Sequence, residues 1–327
     1  MSKILITTVP FGDKNRLPLD ILEKNNIEYL INPLNKKLTE DELVELVSDF
    51  DVIIAGTEPI TKKVMNRASN LQMISRVGIG LDSVNLLAAK DSGITVSYTP
   101  DAPAPAVAEL TVGMMLTLLR SVHVSNSQMH LGDWHRYFGR RLSEVTIGII
   151  GVGEIGQGVL EHLTGFGSPK ILVNDISIKD KIQDRYNVEW SDKEEIYKRS
   201  DIVTLHLPLT AETKNMITES HLLSMKTDAI IINTSRGGII NEGDLYKVMQ
   251  SGHLSGAAID VFDNEPYDGD LNKIERCLLT AHMGSMSIDC RTRMEIEATE
   301  EAVRFLTGKT LKGLVPEEEY EVQRQGL

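Results

Sequence analysis

Short apolar runs alternate with helix-spaced stretches through the first hundred residues. The runs at 3–9, 27–31, 51–55, 71–75 and 94–97 are short and rich in β-branched residues, which predicts strands. Between them, 21–25 and 38–47 carry helical spacing, the second opening on Thr39-Glu-Asp-Glu42. Strands and helices alternating at this interval predict a parallel sheet with helices on its faces. The stretch Thr99-Pro-Asp-Ala-Pro-Ala-Pro105 interrupts the rhythm and predicts a crossover between domains. Residues 106–122 follow, apolar on most faces, as one helix buried between elements or subunits. Glu109 lies near its start, where a carboxylate suits the helix dipole.

The alternation then resumes. Strands are expected at 147–150, 171–173, 202–207, 229–233, 257–260 and 277–280, and helices at 157–163, 241–251 and 288–306. The wholly apolar run at 229–233 suits a strand covered on both faces. The last helix could return to the first unit, and the acidic tail at 316–321 reads as solvated and partly mobile.

The strand at 147–150 runs directly into Gly151-x-Gly153-x-x-Gly156, with a helix after it. That order gives each glycine a task. Gly151 permits a tight turn, Gly153 lets a diphosphate approach the backbone, and Gly156 lets helix and strand pack closely. The helix N-terminus offers N–H groups and partial positive charge to phosphates. The next strand ends at Asn174-Asp175, and an acid there can accept hydrogen bonds from the adenosine ribose. The expected fold class is α/β, with two Rossmann-like or flavodoxin-like parallel-sheet domains. Residues 1–100 and 287–327 would form a substrate domain, and 101–286 an inserted dinucleotide-binding domain.

Composition narrows the function. A net charge of −13 over 327 residues argues against a surface for nucleic acid or anionic membranes. Two cysteines, Cys277 and Cys290, without a CxxC pair fit a reducing cytoplasmic setting and no thiolate metal site. The start, Met1-Ser-Lys-Ile-Leu-Ile, reads as an immediate strand, and no apolar run is long enough to span a bilayer.

Polar side chains gather just after the predicted strands, where open parallel sheets bind ligands. Arg236 follows the run at 229–233, Glu265 follows 257–260, and His282 follows 277–280. An arginine can clamp a carboxylate with two parallel hydrogen bonds. A histidine can exchange an alcohol proton, and a nearby glutamate strengthens its hold on that proton. Singly, each has a bland structural reading. Together, downstream of a dinucleotide turn, they outweigh those bland readings.

These residues sit in ordered motifs: Ser75-Arg-Val-Gly-Ile-Gly-Leu-Asp82, Ala106-Val-Ala-Glu-Leu-Thr111, Gly132-Asp-Trp-His-Arg136, the glycine turn, His206-Leu-Pro-Leu209, Asn233-Thr-Ser-Arg-Gly237, Asp260-Val-Phe-Asp-Asn-Glu-Pro266 and Thr280-Ala-His282. Over most of its length the chain resembles the D-isomer-specific 2-hydroxyacid dehydrogenases, and within them the 3-phosphoglycerate dehydrogenases. The resemblance implies Arg236 on the substrate carboxylate and carbonyl, His282 as acid and base, and Glu265 as its partner. It implies Val77 and Gly78 offering N–H groups to the carboxylate, and Arg76 and Arg136 at basic positions of the substrate site. For NAD it implies Gly151, Gly153, Glu154, Ile155 and Gly156 at the diphosphate and Asp175 at the ribose. His206, Leu207, Pro208 and Thr213 would lie on the adenine side and Asp260 at the nicotinamide amide, with Thr234, Ser235 and Gly284 as further cofactor contacts. A homodimer acting on a small anionic 2-hydroxy or 2-keto acid is expected, with no metal.

The chain also departs from that pattern. Ala281 stands where a proline commonly precedes the histidine, the stretch Gly165-Phe-Gly-Ser-Pro-Lys170 replaces a short linker, and Ala55 falls where the phosphoglycerate enzymes often place an arginine. No C-terminal regulatory domain, and so no serine feedback through one, is expected. Two other readings share these motifs: a relative acting on formate or phosphite, which needs no alcohol proton transfer, and a dinucleotide-sensing corepressor. Among hydroxy-acid enzymes, a glyoxylate or hydroxypyruvate reductase is the main alternative to the phosphoglycerate enzyme.

Overall fold

A computed structural model of the chain describes residues 2–324. Two compact units emerge, one from the residues up to Pro103 with the chain from Met286 onward, the other from Ala104–Ser285.

The first unit holds β1 (Lys3–Ile6), β2 (Glu28–Ile31), β3 (Val52–Ala55), β4 (Met73–Arg76) and β5 (Thr95–Ser97), paired in parallel in the order β2-β1-β3-β4-β5. The period of two along β1 divides its side chains between two cores. Ile4 and Ile6 meet Leu19 and Leu22 of helix Leu17–Lys24 and Met294, Ala298 and Ala302 of helix Ile288–Leu306. Leu5 faces the other way, with Leu43, Val64 and Leu86. Helix Leu17–Lys24 starts earlier than the expected 21–25 because Pro18 sits in its first turn, where its missing N–H costs nothing. Thr39 and Glu42 form a reciprocal capping box that starts helix Glu40–Leu46.

The acidic tail is largely solvated, as expected, yet it is anchored rather than loose. It forms helix Glu317–Arg324, whose three glutamates occupy the first turn, where the dipole favours them. Tyr320 packs on the core of the first unit. The Gln323 side chain donates to the Val84 carbonyl at 2.9 Å and accepts from the Leu87 N–H at 3.1 Å.

The second unit holds β6 (Thr146–Ile150), β7 (Lys170–Asn174), β8 (Val188–Trp190), β9 (Ile202–Leu205), β10 (Ile230–Asn233), β11 (Gly256–Ile259) and β12 (Cys277–Leu279). They pair in parallel in the order β12-β11-β10-β9-β6-β7-β8. The three-residue β8 went unpredicted, because Val-Glu-Trp is too short to show a period. The helix expected at 106–122 is two helices, Ala104–Leu119 and Val122–His130, bent by 65° at Ser121, whose φ is +49°. Since the first begins at Ala104, Glu109 falls beyond its first turn and is exposed, so the dipole gives it little. Helix Ala104–Leu119 lies close against helix Glu154–Leu163; a Cβ on Gly158 would come within 2.9 Å of Ala108. Among the described residues no single helix is long and apolar enough to cross a membrane.

Candidate active site

Register places the chemistry. Ile150, Asn174, Leu205, Asn233, Ile259 and Leu279 stand side by side across six strands of the second unit. The next residues, Gly151, Asp175, His206, Thr234, Asp260 and Thr280, therefore leave the sheet at one level. The order of strands reverses at β6 and β9, the position where such sheets form a ligand crevice.

On the β6–β7 side the glycine turn has its expected geometry. Gly151 adopts φ +95°, and a Cβ there would lie 2.2 Å from the His206 carbonyl oxygen. A Cβ on Gly156 would fall 2.1 Å from the Gly151 oxygen, so both positions are closed to any side chain. Gly153 is different: it caps helix Glu154–Leu163 and has nothing within 4 Å of its missing Cβ. That is the space a diphosphate needs, with Glu154 and Ile155 in the first helical turn beside it. Asp175 accepts from the Val152 N–H at 2.9 Å, tying the acid to the turn. These features fit a dinucleotide.

On the β9–β10 side, His206 Nε2 lies 3.1 Å from Thr204 Oγ1. Burial pushes the His206 pKa down to about 3, so this ring is neutral and no acid–base candidate. Leu207 and Pro208 lead into a loop closed by Thr213, whose hydroxyl donates to the Pro208 carbonyl at 2.7 Å. Thr234 meets the Thr111 hydroxyl at 2.9 Å, and both are buried. The Ser235 hydroxyl donates to Asn233 Oδ1 at 2.8 Å, and Asn233 Nδ2 donates to the Arg236 carbonyl at 2.8 Å. Asn233 thus shapes the loop that carries Arg236, whose guanidinium donates to the Ser235 carbonyl at 2.6 Å.

The three candidate catalytic side chains belong to adjoining loops. A Cβ on Gly237 would overlap the Phe262 carbonyl at 2.0 Å, so the Arg236 loop lies directly on the loop after β11. The Phe262 N–H donates to Glu265 at 3.2 Å. Both Glu265 oxygens lie 3.0 Å from His282 Nδ1. His282 has a left-handed φ of +52°, uncommon for a side chain of this size and characteristic of functional loops. Asp260 holds it there. The Asp260 carbonyl accepts from the His282 N–H at 2.9 Å. Its carboxylate accepts from Thr280 Oγ1 at 2.6 Å, Met283 N at 2.7 Å and Gly284 N at 2.8 Å. Burial raises the Asp260 pKa, and those three donors oppose the rise. Asp260 and Gly284 are therefore the frame of the histidine loop. The framing roles of Asn233 and Thr280 were missed from sequence; their only signal was a polar residue at or just past the end of an apolar strand.

The remaining candidates lie elsewhere. Arg136 is exposed in an irregular segment and makes no hydrogen bond or ion pair among the described residues. In the first unit, Arg76 ends β4, is 5% exposed, and donates to the Val77 carbonyl. The Val77 N–H donates to the Ala55 carbonyl at 2.9 Å, and the Gly78 N–H to Thr99 Oγ1 at 2.8 Å.

A parallel sheet, a glycine turn at its crevice and a Glu–His pair on the same edge define a dinucleotide-linked oxidoreductase. Comparison with known proteins makes that class narrower. Residues 112–284 match the family described as D-isomer specific 2-hydroxyacid dehydrogenase, NAD binding domain. The chain is 35% identical over 284 residues to D-3-phosphoglycerate dehydrogenase of Methanocaldococcus jannaschii, covering 85% of this chain but only 54% of that longer one. It is 33% identical over 299 residues to hydroxypyruvate reductase of Thermotoga maritima, covering 88% of this chain and 96% of the other. NAD-dependent formate dehydrogenase from Staphylococcus aureus, solved in complex with NAD, superposes with a TM-score of 0.84 at 29% identity, over 96% of this chain and 99% of that one. The chain belongs to the D-isomer-specific 2-hydroxyacid dehydrogenase family, whose members are oxidoreductases, and NAD is its cofactor.

Proposed function

We propose that the protein interconverts a D-2-hydroxy acid and its 2-keto acid, with His282 as the proton-transferring residue. The observation that carries this is the 3.0 Å contact between His282 Nδ1 and both oxygens of Glu265. With Nδ1–H donating to the carboxylate, Nε2 is left to take the hydroxyl proton during oxidation, and Glu265 stabilises the imidazolium that results. Bound NAD supplies the hydride acceptor. Arg236 fixes the substrate carboxylate and polarises the adjoining carbonyl during reduction. A formate or phosphite substrate has no alcohol proton to transfer, so the Glu–His pair favours the hydroxy acid.

The substrate is a short acid of the kind handled by the relatives: 3-phosphoglycerate, hydroxypyruvate or glyoxylate. NADH oxidation against 3-phosphohydroxypyruvate, hydroxypyruvate, glyoxylate and pyruvate tests this, and turnover of at least one is expected. No turnover of any would sink the proposal. A homodimer in a cytoplasmic, reducing setting completes it. Support comes from Leu131, Trp134 and Phe138, which stand exposed on one short segment, and from two buried free cysteines. Sedimentation equilibrium at twice the chain mass is the expected result.

A further inference from the structure

We propose that the second unit carries a further binding site, for a small carboxylic acid with an aromatic body, at the end of its sheet opposite the glycine turn. The site is a cavity of about 350 Å³. Leu116 and Arg120 line it from the end of helix Ala104–Leu119, Arg140 to Ser143 from the chain entering β6, and Phe166 and Gly167 from the turn after helix Glu154–Leu163. The length of β6, roughly 17 Å for five residues, separates it from Gly151. The walls are locked to one another. A Cβ on Gly139 would lie 2.3 Å from the Leu119 carbonyl oxygen, and the Arg140 N–H donates to that carbonyl at 3.3 Å. Gly167 has a φ of +77°, and its Cβ would lie 3.2 Å from Ser143 Cβ. A cavity formed in advance lowers the ordering cost of binding.

The lining sets the chemistry of the ligand. Arg140 donates to Asp201 at 2.9 Å, and Arg141 lies 3.3 Å from Glu144. Arg120 makes no hydrogen bond or ion pair among the described residues. An arginine at a helix C-terminus commonly serves the last carbonyls. Here the Leu116, Leu118 and Leu119 carbonyls already accept from the N–H groups of Arg120, Ser121 and Arg140. In a chain of net charge −13, three guanidiniums around one cavity, two of them with carboxylate partners, leave a local positive surplus. Leu116, Leu142 and the 37% exposed Phe166 supply apolar wall. A hydrated inorganic anion would leave those walls wet, and a neutral hydrocarbon would leave Arg120 unanswered. An aromatic acid meets both demands. The Arg120 fork takes the carboxylate with two parallel hydrogen bonds, and the ring packs on Phe166. The volume is at the small end for ligand sites, which limits the body to about one ring.

Isothermal titration calorimetry of the full chain with 3-phenylpropionate reads the site. That acid has no hydroxyl or keto group at C2 and is therefore no substrate. A Kd of about 1 mM is expected, with acetate and 3-phenylpropanamide each weaker by about tenfold or more. Arg120→Ala should weaken 3-phenylpropionate by about tenfold, Arg120→Lys should recover part of the loss, and Phe166→Ala should cost about fivefold. NADH affinity is expected to stay at the wild-type value in all three, which shows that they are folded. No saturation by about 10 mM overturns the site. Equal affinity in wild type and Arg120→Ala overturns it too, because the acid would then sit elsewhere. Should Arg120→Ala fail to bind NADH, Phe166→Ala decides: unchanged affinity for the acid there overturns the site as well.

Discussion

The two sheets of this protein share a design and differ in what their carboxyl edges do. In the first unit the edge is closed upon itself. The Thr7 hydroxyl bonds to Glu58 and lies 3.1 Å from the Ile54 carbonyl, the Gly56 N–H reaches Glu58 at 2.9 Å, and Val77 and Gly78 spend their N–H groups on in-chain acceptors. Glu58 is 2% exposed. In the second unit the polar atoms behind Arg236 and His282 are bonded as well, but they hold other groups outward. Asp260 is fully buried, whereas the His282 side chain it positions is 39% exposed. The lesson is that parallel-sheet topology supplies a place for ligands, while the partners of the edge residues decide whether that place is a brace or a reaction site.

The sharpest test of the contrast is His282→Ala. Turnover should fall by roughly 10²–10⁴, the usual worth of a general acid–base group, with NADH affinity kept. Unchanged kcat would remove His282 from the reaction. Next in size is Gly156→Ala, which forces a Cβ to within 2.1 Å of the Gly151 oxygen. We expect a loss of about 3 kcal/mol in denaturant unfolding together with weaker NADH binding; a silent substitution would mean the turn is not rigid. In the first unit, Glu58→Ala leaves the Gly56 N–H without its acceptor and the Thr7 hydroxyl with only the Ile54 carbonyl. A stability loss of about 1–3 kcal/mol is expected while NADH affinity is untouched. If NADH binding fell with it, the brace and the cofactor site would not be separable.

The smallest effect is a pH dependence. Asp201 is penalised by burial, but the Thr146 N–H, Lys226 and Arg140 outweigh that and lower its pKa. A depressed carboxylate stabilises the fold above the unfolded pKa and loses that contribution as pH falls through the folded value. Asp201→Asn should therefore be less stable than wild type by about 1 kcal/mol at neutral pH. The two should converge in acid. A gap that persisted there would place the effect in packing rather than charge.

Much of this was legible because local signals agreed. The glycine turn joined a strand to a helix, and Arg236, Glu265 and His282 each followed an apolar run. What escaped had physical causes. β8 is shorter than a period can reveal. The break at Ser121 depends on one positive φ in an otherwise continuous apolar stretch, and a serine gives no warning of it. The tail's acids are solvated as expected, but they hid the helix and the contacts made by its half-buried Tyr320 and Gln323.

By itself the sequence determined the two alternating α/β patterns, the dinucleotide turn and the identity of the three reactive side chains, since each rests on residues close together in the chain. Only the tertiary structure decided their relation. Lateral pairing of β10, β11 and β12 brings residues 236, 265 and 282 to one edge, and hydrogen bonds across long stretches of chain turn His282 outward. It also decided that Asp260 frames the histidine loop and that Arg120, Arg140 and Arg141 line one cavity. Those partnerships depend on which strands are neighbours and on where each loop packs, and neither is written in local spacing.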